Sequence, residues 1–343
     1  RVLWMLLTAF VIMQMQHGSY VHAVVQSNLA AAIGALFGIA ILAWFLFSRR
    51  QYLNNLVEHS DHKIEVSTSS LFAEIIEQAI PFIIIDAGIQ LFYLVDQYTF
   101  HPMIAGLVSA SSDMIESWYA LFALNANKLI MIIVSLASAM AVTAIPLLSA
   151  AHTQRDYRSI AKQISNILDL FLFVMIPASF GMAAIATPIY TIFYSYDPLG
   201  SSVLYLSSFT AISLGLFTVL MAILQGLSEN GLAIKYLMLG LIIKAILQYP
   251  MILMFKVYGP LVSTNLGMLA IILLALKHLE ISYDFNLNRT GRRFVGITTF
   301  SIGMFLVVSG VESILELFLS PARRFPAFAI VLIAVFAGVL FYG

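Results

Sequence analysis

Apolar residues along this chain come in long unbroken runs separated by short polar or Gly/Pro punctuation. The runs fall at about 2 to 16, 21 to 47, 71 to 98, 121 to 149, 160 to 187, 203 to 226, 231 to 255, 259 to 280, 294 to 319 and 325 to 343. Most approach or exceed the roughly 20 residues that a helix needs to cross a bilayer. A transmembrane barrel would instead show strands of about ten residues with strict alternation, and stretches such as Leu129 to Leu148 have none. The pattern predicts an all-α integral membrane protein, a polytopic bundle of about ten transmembrane helices.

Composition agrees and narrows the chemistry. Of 343 residues, 61% are hydrophobic and 10% charged, with a mean hydropathy of +0.95, where a soluble domain carries roughly a quarter charged residues. Seventeen basic side chains balance seventeen acidic ones, so no global charge points to nucleic acid. There is no cysteine, which removes disulfides, thiolate metal sites and cysteine nucleophiles.

Positive charge assigns the sides, because Lys and Arg are retained on the cytoplasmic face. Arg49, Arg50 and Lys63, then Arg155, Arg158 and Lys162, then Lys277, Arg289, Arg292 and Arg293 mark alternate connections as inside. The segments 17 to 20, 99 to 120 and 191 to 202 contain no Lys or Arg and are placed outside. Arg323 and Arg324 disagree: either that hairpin is an exception, or one of the last two runs does not cross. The long hydrophilic stretch 49 to 70 reads as a cytoplasmic linker between two bundles.

No P-loop, H-E-x-x-H or G-x-S-x-G sequence occurs. Glu58, His59, Asp61 and His62 are the nearest approach to a metal cluster, and their place in one short polar segment reads as a solvated loop. Candidate function therefore rests on polar side chains deep in spans, which are costly unless they face a cavity or a partner. Asp86, Gln90, Tyr93 and Gln97 recur at spacings of four, three and four on one helical face, and Asp96 lies about 80° away. Lys128 sits near the outer end of the fourth run, in line with Ser135, Val142 and Pro146. Lys244 and Gln248 are one turn apart near the middle of the seventh. The two lysines and a carboxylate such as Asp86 form either a charged cavity for an anion or a structural ion pair. Ser207, Thr218 and Gln225, with Thr210 beside them, make a milder stripe on the sixth run. Asp169 stands alone on the fifth, either lining a cavity or pairing locally, and Glu312 and Glu316 sit close to the end of the ninth.

Several short motifs occur in a familiar order: Ile80-Pro81-Phe82, Leu94-Val95-Asp96-Gln97-Tyr98, Asn127-Lys128-Leu129, Ala144-Ile145-Pro146-Leu147-Leu148-Ser149, Pro188-Ile189-Tyr190 with Phe193-Tyr194, and Ile223-Leu224-Gln225-Gly226. In that order they resemble the polysaccharide transporter branch of the multidrug/oligosaccharidyl-lipid/polysaccharide (MOP) flippase superfamily, in particular stage V sporulation protein B and the lipid II flippases of Gram-positive bacteria. The resemblance implies a fold of about fourteen helices, two six-helix lobes around a central cavity followed by an extra pair. On that alignment 1 to 48 is the end of the N-terminal lobe, 49 to 70 the cytoplasmic inter-lobe linker, 71 to 280 the C-terminal lobe and 281 to 343 the additional pair, so that the chain reads as a fragment.

What the resemblance implies functionally is a transporter and not an enzyme. It would sit in the bacterial plasma membrane as a monomer and flip an undecaprenyl-pyrophosphate-linked saccharide by alternating access, without cofactor apart from a coupling cation of unknown identity. Its partners would be that lipid-linked oligosaccharide and the surrounding lipids. In the lipid II flippases a basic residue in a pattern like Ala126-Asn127-Lys128-Leu129 lines the cavity and meets the pyrophosphate; here it is Lys where that group has Arg. Asp86, Gln90, Tyr93, Gln97, Gln225, Lys244 and Gln248 complete the set of substrate-cavity candidates. Two other readings remain: a multidrug/cation antiporter, permitted by Asp86 and opposed by the two lysines, and a membrane-embedded polymerase or glycosyltransferase, which would need a larger surface loop.

Overall fold

A computed structural model describes residues 20–58 and 67–342. Among the described residues every regular element is helical. They are α1 (Tyr20–Ser48), α2 (Arg50–Glu58), α3 (Thr68–Asp86), α4 (Gly88–Ala105), α5 (Ser112–Ala120), α6 (Asn127–Thr153), α7 (Tyr157–Ala184), α8 (Ala186–Phe193), α9 (Pro198–Gly226), α10 (Asn230–Phe255), α11 (Gly259–Tyr283), α12 (Leu287–Glu316) and α13 (Arg324–Tyr342). A π-helical turn, Leu121–Ala126, joins α5 to α6, and a 3-10 turn, Lys256–Tyr258, joins α10 to α11. Among the described residues seven helical stretches are long and apolar enough to cross a membrane, and the protein is an all-α polytopic membrane protein.

The helices begin and end where local chemistry dictates. Asp156, Asp197 and Asn286 each accept a hydrogen bond from a backbone N–H in the first turn of α7, α9 and α12, satisfying donors that have no partner within the helix. Pro198 stands at the first turn of α9, where its missing N–H costs nothing. Ser228, following α9, and Asp284, following α11, take positive φ of 61° and 52° and turn the chain out of the helix.

Several expected spans differ from the structure. The third is assigned as two helices, α3 and α4, that meet at Ala87, where the bonds from Ala87 N to Ile83 O and from Leu91 N to Ala87 O continue the helical path. The fourth begins earlier, at Ser112, capped by Ser111. The fifth stops at Ala184, and α8 is a separate helix. The basic stretch after Arg49 is helical through Glu58. The first expected span, and His59, Asp61 and His62, lie outside the described residues. Among the described residues no group of three or more His, Asp or Glu side chains is placed to hold a metal.

The chain divides into two compact units, Arg1–Phe72 and Ala73–Gly343. Within the second, α9 is the hub, packing on α6, α7 and α11. A Cβ on Gly215 would lie 2.7 Å from the Met175 methyl and 3.1 Å from the Ala137 Cβ, so α9 comes close to α6 and α7 here and a larger residue would require Met175 to shift. α10 and α11 form a tight pair that carries α4. α12 packs on α7, clipped there by the Arg293–Asp169 ion pair, and α13 packs on α12 and α8. At the opposite end from the α8–α9 turn, Glu229 accepts the Tyr283 hydroxyl at 2.6 Å and pairs with His278 at 2.5 Å, tying the α9–α10 turn to α11.

Candidate functional site

The polar groups of the second unit sort into a closed set and an open set. The closed set lies where α4, α10 and α11 meet. Gly267 of α11 and Gly240 of α10 approach so closely that a Cβ on either would stand 2.7–2.8 Å from the other's carbonyl oxygen. That approach brings Lys244, one turn beyond Gly240, against Thr264, one turn before Gly267. The Lys244 Nζ donates to Asp96 Oδ2 at 2.7 Å and to Thr264 Oγ1 at 2.6 Å, and stands 5.4 Å from the centre of the Phe92 ring. Gln248 Nε2 donates to Asp96 Oδ1 at 2.9 Å, and Ser263 Oγ donates to Gln248 Oε1 at 2.5 Å. Lys244 and Gln248 are 0% exposed and Asp96 is 4% exposed.

Charge and hydrogen-bonding capacity are thus matched inside the bundle. A buried ion pair of this kind tolerates burial because each charge meets both its counter-ion and further polar partners. It also leaves no free cation for a ligand. Of the two readings open for Lys244, the structure realises the ion pair, and its acid is Asp96, not Asp86; Lys244 and Gln248 are not exposed to a cavity. Asp96 had a sequence signal. It lies at i+4 from Phe92 and i−4 from Phe100, both 0% exposed, and so on the buried face of α4.

The open set begins on the other face of α4. Asp86, at the end of α3, and Gln90 and Gln97 of α4 are exposed. Tyr93, half-buried between them, donates its hydroxyl to Asn127 Oδ1 at 2.7 Å. Asn125, two residues earlier and in the π turn, donates to the Tyr190 hydroxyl at 3.0 Å. Positions two apart point to nearly opposite sides of a helix. The helix is therefore gripped from both sides, and its rotation about its own axis is set. Lys128, next along, is exposed and makes no hydrogen bond or ion pair among the described residues; Ser135, Val142 and Pro146 on the same face are exposed too. The helical stretch that carries Lys128 begins sixteen residues upstream, at Ser112.

Beside this face a cleft of about 370 Å³ is bounded by α3, α6 and α9, with Asp86, Ser138, Thr218 and Gln225 as its polar lining. Gln225 is 7% exposed and its Nε2 has no partner. The expected stripe on α9 is split. Thr218 and Gln225 reach this cleft, while Ser207 and Thr210 line a separate chamber of about 20 Å³ with Tyr93, Asp96, Asn127 and Thr264, enough for about one water. Asn265, which carried no sequence signal, donates to Thr210 at 2.8 Å and accepts from Ser213 at 2.8 Å. Asp169 pairs with Arg293. On the far side, α6, α7, α8, α12 and α13 enclose an apolar groove of about 520 Å³, lined by Pro177, Met182, Met304, Val308 and Gly338 among others.

No family model matches the chain. It is 31% identical to a protein of Bacillus subtilis (strain 168) described as the lipid II flippase MurJ, over 93% of this chain and 59% of that protein. The chain therefore spans about three fifths of the length of the curated relative it matches. Among solved structures it is similar to the lipid II flippase MurJ in an inward closed conformation, with a TM-score of 0.65 and 16% identity, covering 98% of this chain and 65% of that one. The sequence likeness agrees with the resemblance read from the ordered motifs, and the structural likeness bears out the fold. The structural likeness extends the all-α membrane fold beyond composition to a specific arrangement of helices.

Proposed function

We propose that this protein is a transporter that flips a lipid-linked saccharide, an undecaprenyl-pyrophosphate substrate such as lipid II, across the bacterial plasma membrane. The 31% likeness to a lipid II flippase supports the substrate class. The single observation that carries the assignment to residues is the 2.7 Å bond from Tyr93 to Asn127. It joins the polar lane of α4 to the segment bearing Lys128, so that an unpaired ammonium, two amides and a carboxylate share one open face. In this reading 71 to 280 is a lobe whose open face walls a central cavity, and 281 to 343 is the added pair.

Physical chemistry then assigns the parts. A pyrophosphate and its glycan cannot enter hydrocarbon unaided, whereas the polyprenyl tail need not leave it. Lys128 supplies the counter-charge in a partly desolvated cavity, where an ion attracts an anion more strongly than in water. Gln90, Gln97 and Gln225 offer amide donors and acceptors to sugar hydroxyls and amides. The apolar groove beside α12 and α13 accommodates the tail. Rigid-body rocking exposes the cavity to each side in turn. No bond is made or broken, so the protein is a transporter and needs no catalytic group.

The test is complementation of a flippase-depleted bacterium, with surface-exposed lipid II measured alongside. Parent protein restores growth and outward lipid II. Lys128→Glu, matched for membrane abundance, restores neither. Full function of Lys128→Glu would overturn the pyrophosphate role and favour a cation substrate.

A further inference from the structure

We propose that a second cleft, between the α7–α8 junction, the start of α9 and the end of α12, is a binding site for a primary ammonium group, presented by a zwitterionic lipid headgroup or by a free amine. It lies apart from the open face described above and shares no lining residue with it. Its volume is about 370 Å³, and its wall includes Thr187, Tyr196, Tyr205, Phe305, Ser309 and Glu312. Phe305, Ser309 and Glu312 follow one another at spacings of four and three, so α12 presents a ring, a hydroxyl and a carboxylate on one face.

The chemistry of the lining selects the ligand. Glu312 is half-buried and makes no hydrogen bond or ion pair among the described residues. Its nearest charged neighbour along the helix is Glu316, one turn on, of the same sign. No Lys, Arg or His lines the cleft, so an anion would meet only repulsion. A partly desolvated carboxylate without a counter-ion is unfavourable, and a cation relieves it. A single carboxylate with hydroxyls falls short of the six to eight oxygens that calcium takes. An ammonium has three donors, which the Glu312 carboxylate and the Ser309 and Thr187 hydroxyls can accept. The rings complete the match. Tyr205 and Phe305 stand 6.3 Å apart at their centres, with Phe209 and Phe180 stacked edge-on behind them, and aromatic faces attract organic cations.

Position along the chain fits a headgroup. Glu312 is in the last turns of α12, whose other end carries the basic residues Arg289, Arg292 and Arg293. Tyr196 and Pro198, which line the cleft, belong to the segment 191 to 202 that has no Lys or Arg and is placed outside, so the cleft is near the outer surface of the bilayer, at the depth where lipid amines lie, with Arg323 and Arg324 following α12 at the same end.

Native mass spectrometry of the purified full chain, titrated with phosphatidylethanolamine or phosphatidylglycerol in detergent, tests this. One phosphatidylethanolamine should bind about tenfold more tightly than phosphatidylglycerol, and Glu312→Gln should abolish that preference. Ser309→Lys, which places an ammonium in the cleft from the protein itself, should do the same without loss of thermal stability. Competition by millimolar ethanolamine would show that the ammonium alone is recognised and that free amines share the site; resistance to it, with the preference intact, would assign the site to the lipid. Equal binding of the two lipids, or a preference that survives both substitutions, would overturn the proposal.

Discussion

Lys128 and Lys244 are the same side chain in the same helical unit, and the fold treats them in opposite ways. Lys244 is enclosed at the junction of α4, α10 and α11, with Asp96, Thr264 and the Phe92 ring around it. Lys128 is held on an open face by its neighbours, and nothing in the described structure neutralises it. The difference follows from the surroundings. Small residues at Gly240 and Gly267 let two helices close over Lys244, and a charge closed over must find a partner. The Tyr93–Asn127 and Asn125–Tyr190 bonds fix the helix of Lys128 by its flanks and leave the ammonium itself uncommitted. A buried pair stabilises the bundle's geometry, and an unpaired cation is what a bundle has to offer an anion.

The comparison is sharpest where one partner of the closed set is removed. Lys244→Ala leaves the Asp96 carboxylate buried and uncompensated, which should destabilise the protein by about 3–5 kcal/mol. The readout is thermal unfolding in detergent, with membrane abundance as a second measure. The paired change Asp96→Leu with Lys244→Met should recover most of that loss, because neither charge is then stranded. If Lys244→Ala unfolds like the parent while transport fails, Lys244 belongs with Lys128 and the contrast collapses.

Lys128→Ala should do the reverse. Its effect on stability should stay within about 0.5 kcal/mol, as for exposed positions generally. Capture of the lipid-linked substrate should weaken by about 2 kcal/mol, roughly thirtyfold, the worth of a hydrogen bond to a charged group. Lys128→Arg should retain most activity, since charge is kept. Binding of a pyrophosphate lipid to purified variants of equal stability measures this directly.

The smallest expected effect separates holding from binding. Tyr93→Phe removes only the hydroxyl that grips Asn127, for about 1 kcal/mol of stability. Transport should fall by a few-fold, less than for Lys128→Ala, and adding Tyr93→Phe to Lys128→Ala should cost little more. Full additivity would mean that Tyr93 acts on substrate by itself and not through the placement of Lys128.

Ten apolar runs and their charge asymmetry were enough to predict a helical membrane bundle, because in hydrocarbon the backbone must satisfy its own hydrogen bonds and length alone then defines a span. The ordered motifs added the resemblance to a flippase family. The polar lane of Asp86, Gln90, Tyr93 and Gln97 was legible too, since helical periodicity places residues on faces without reference to any neighbour. What periodicity does not carry is which face meets which. Asp96 stood about 80° from the lane with no partner to be read, and it is the acid that pairs with Lys244. Ser207 and Gln225 shared a stripe, yet α11 covers one and the α3–α6 cleft receives the other. Glu312 read only as close to the end of its run, and α8 and α9 fold a cleft around it. In each case the deciding quantity is the approach of two helices distant in sequence. That approach is set by small side chains such as Gly240 and Gly267, and it determines whether an ionisable group is closed against a partner or left open to a ligand.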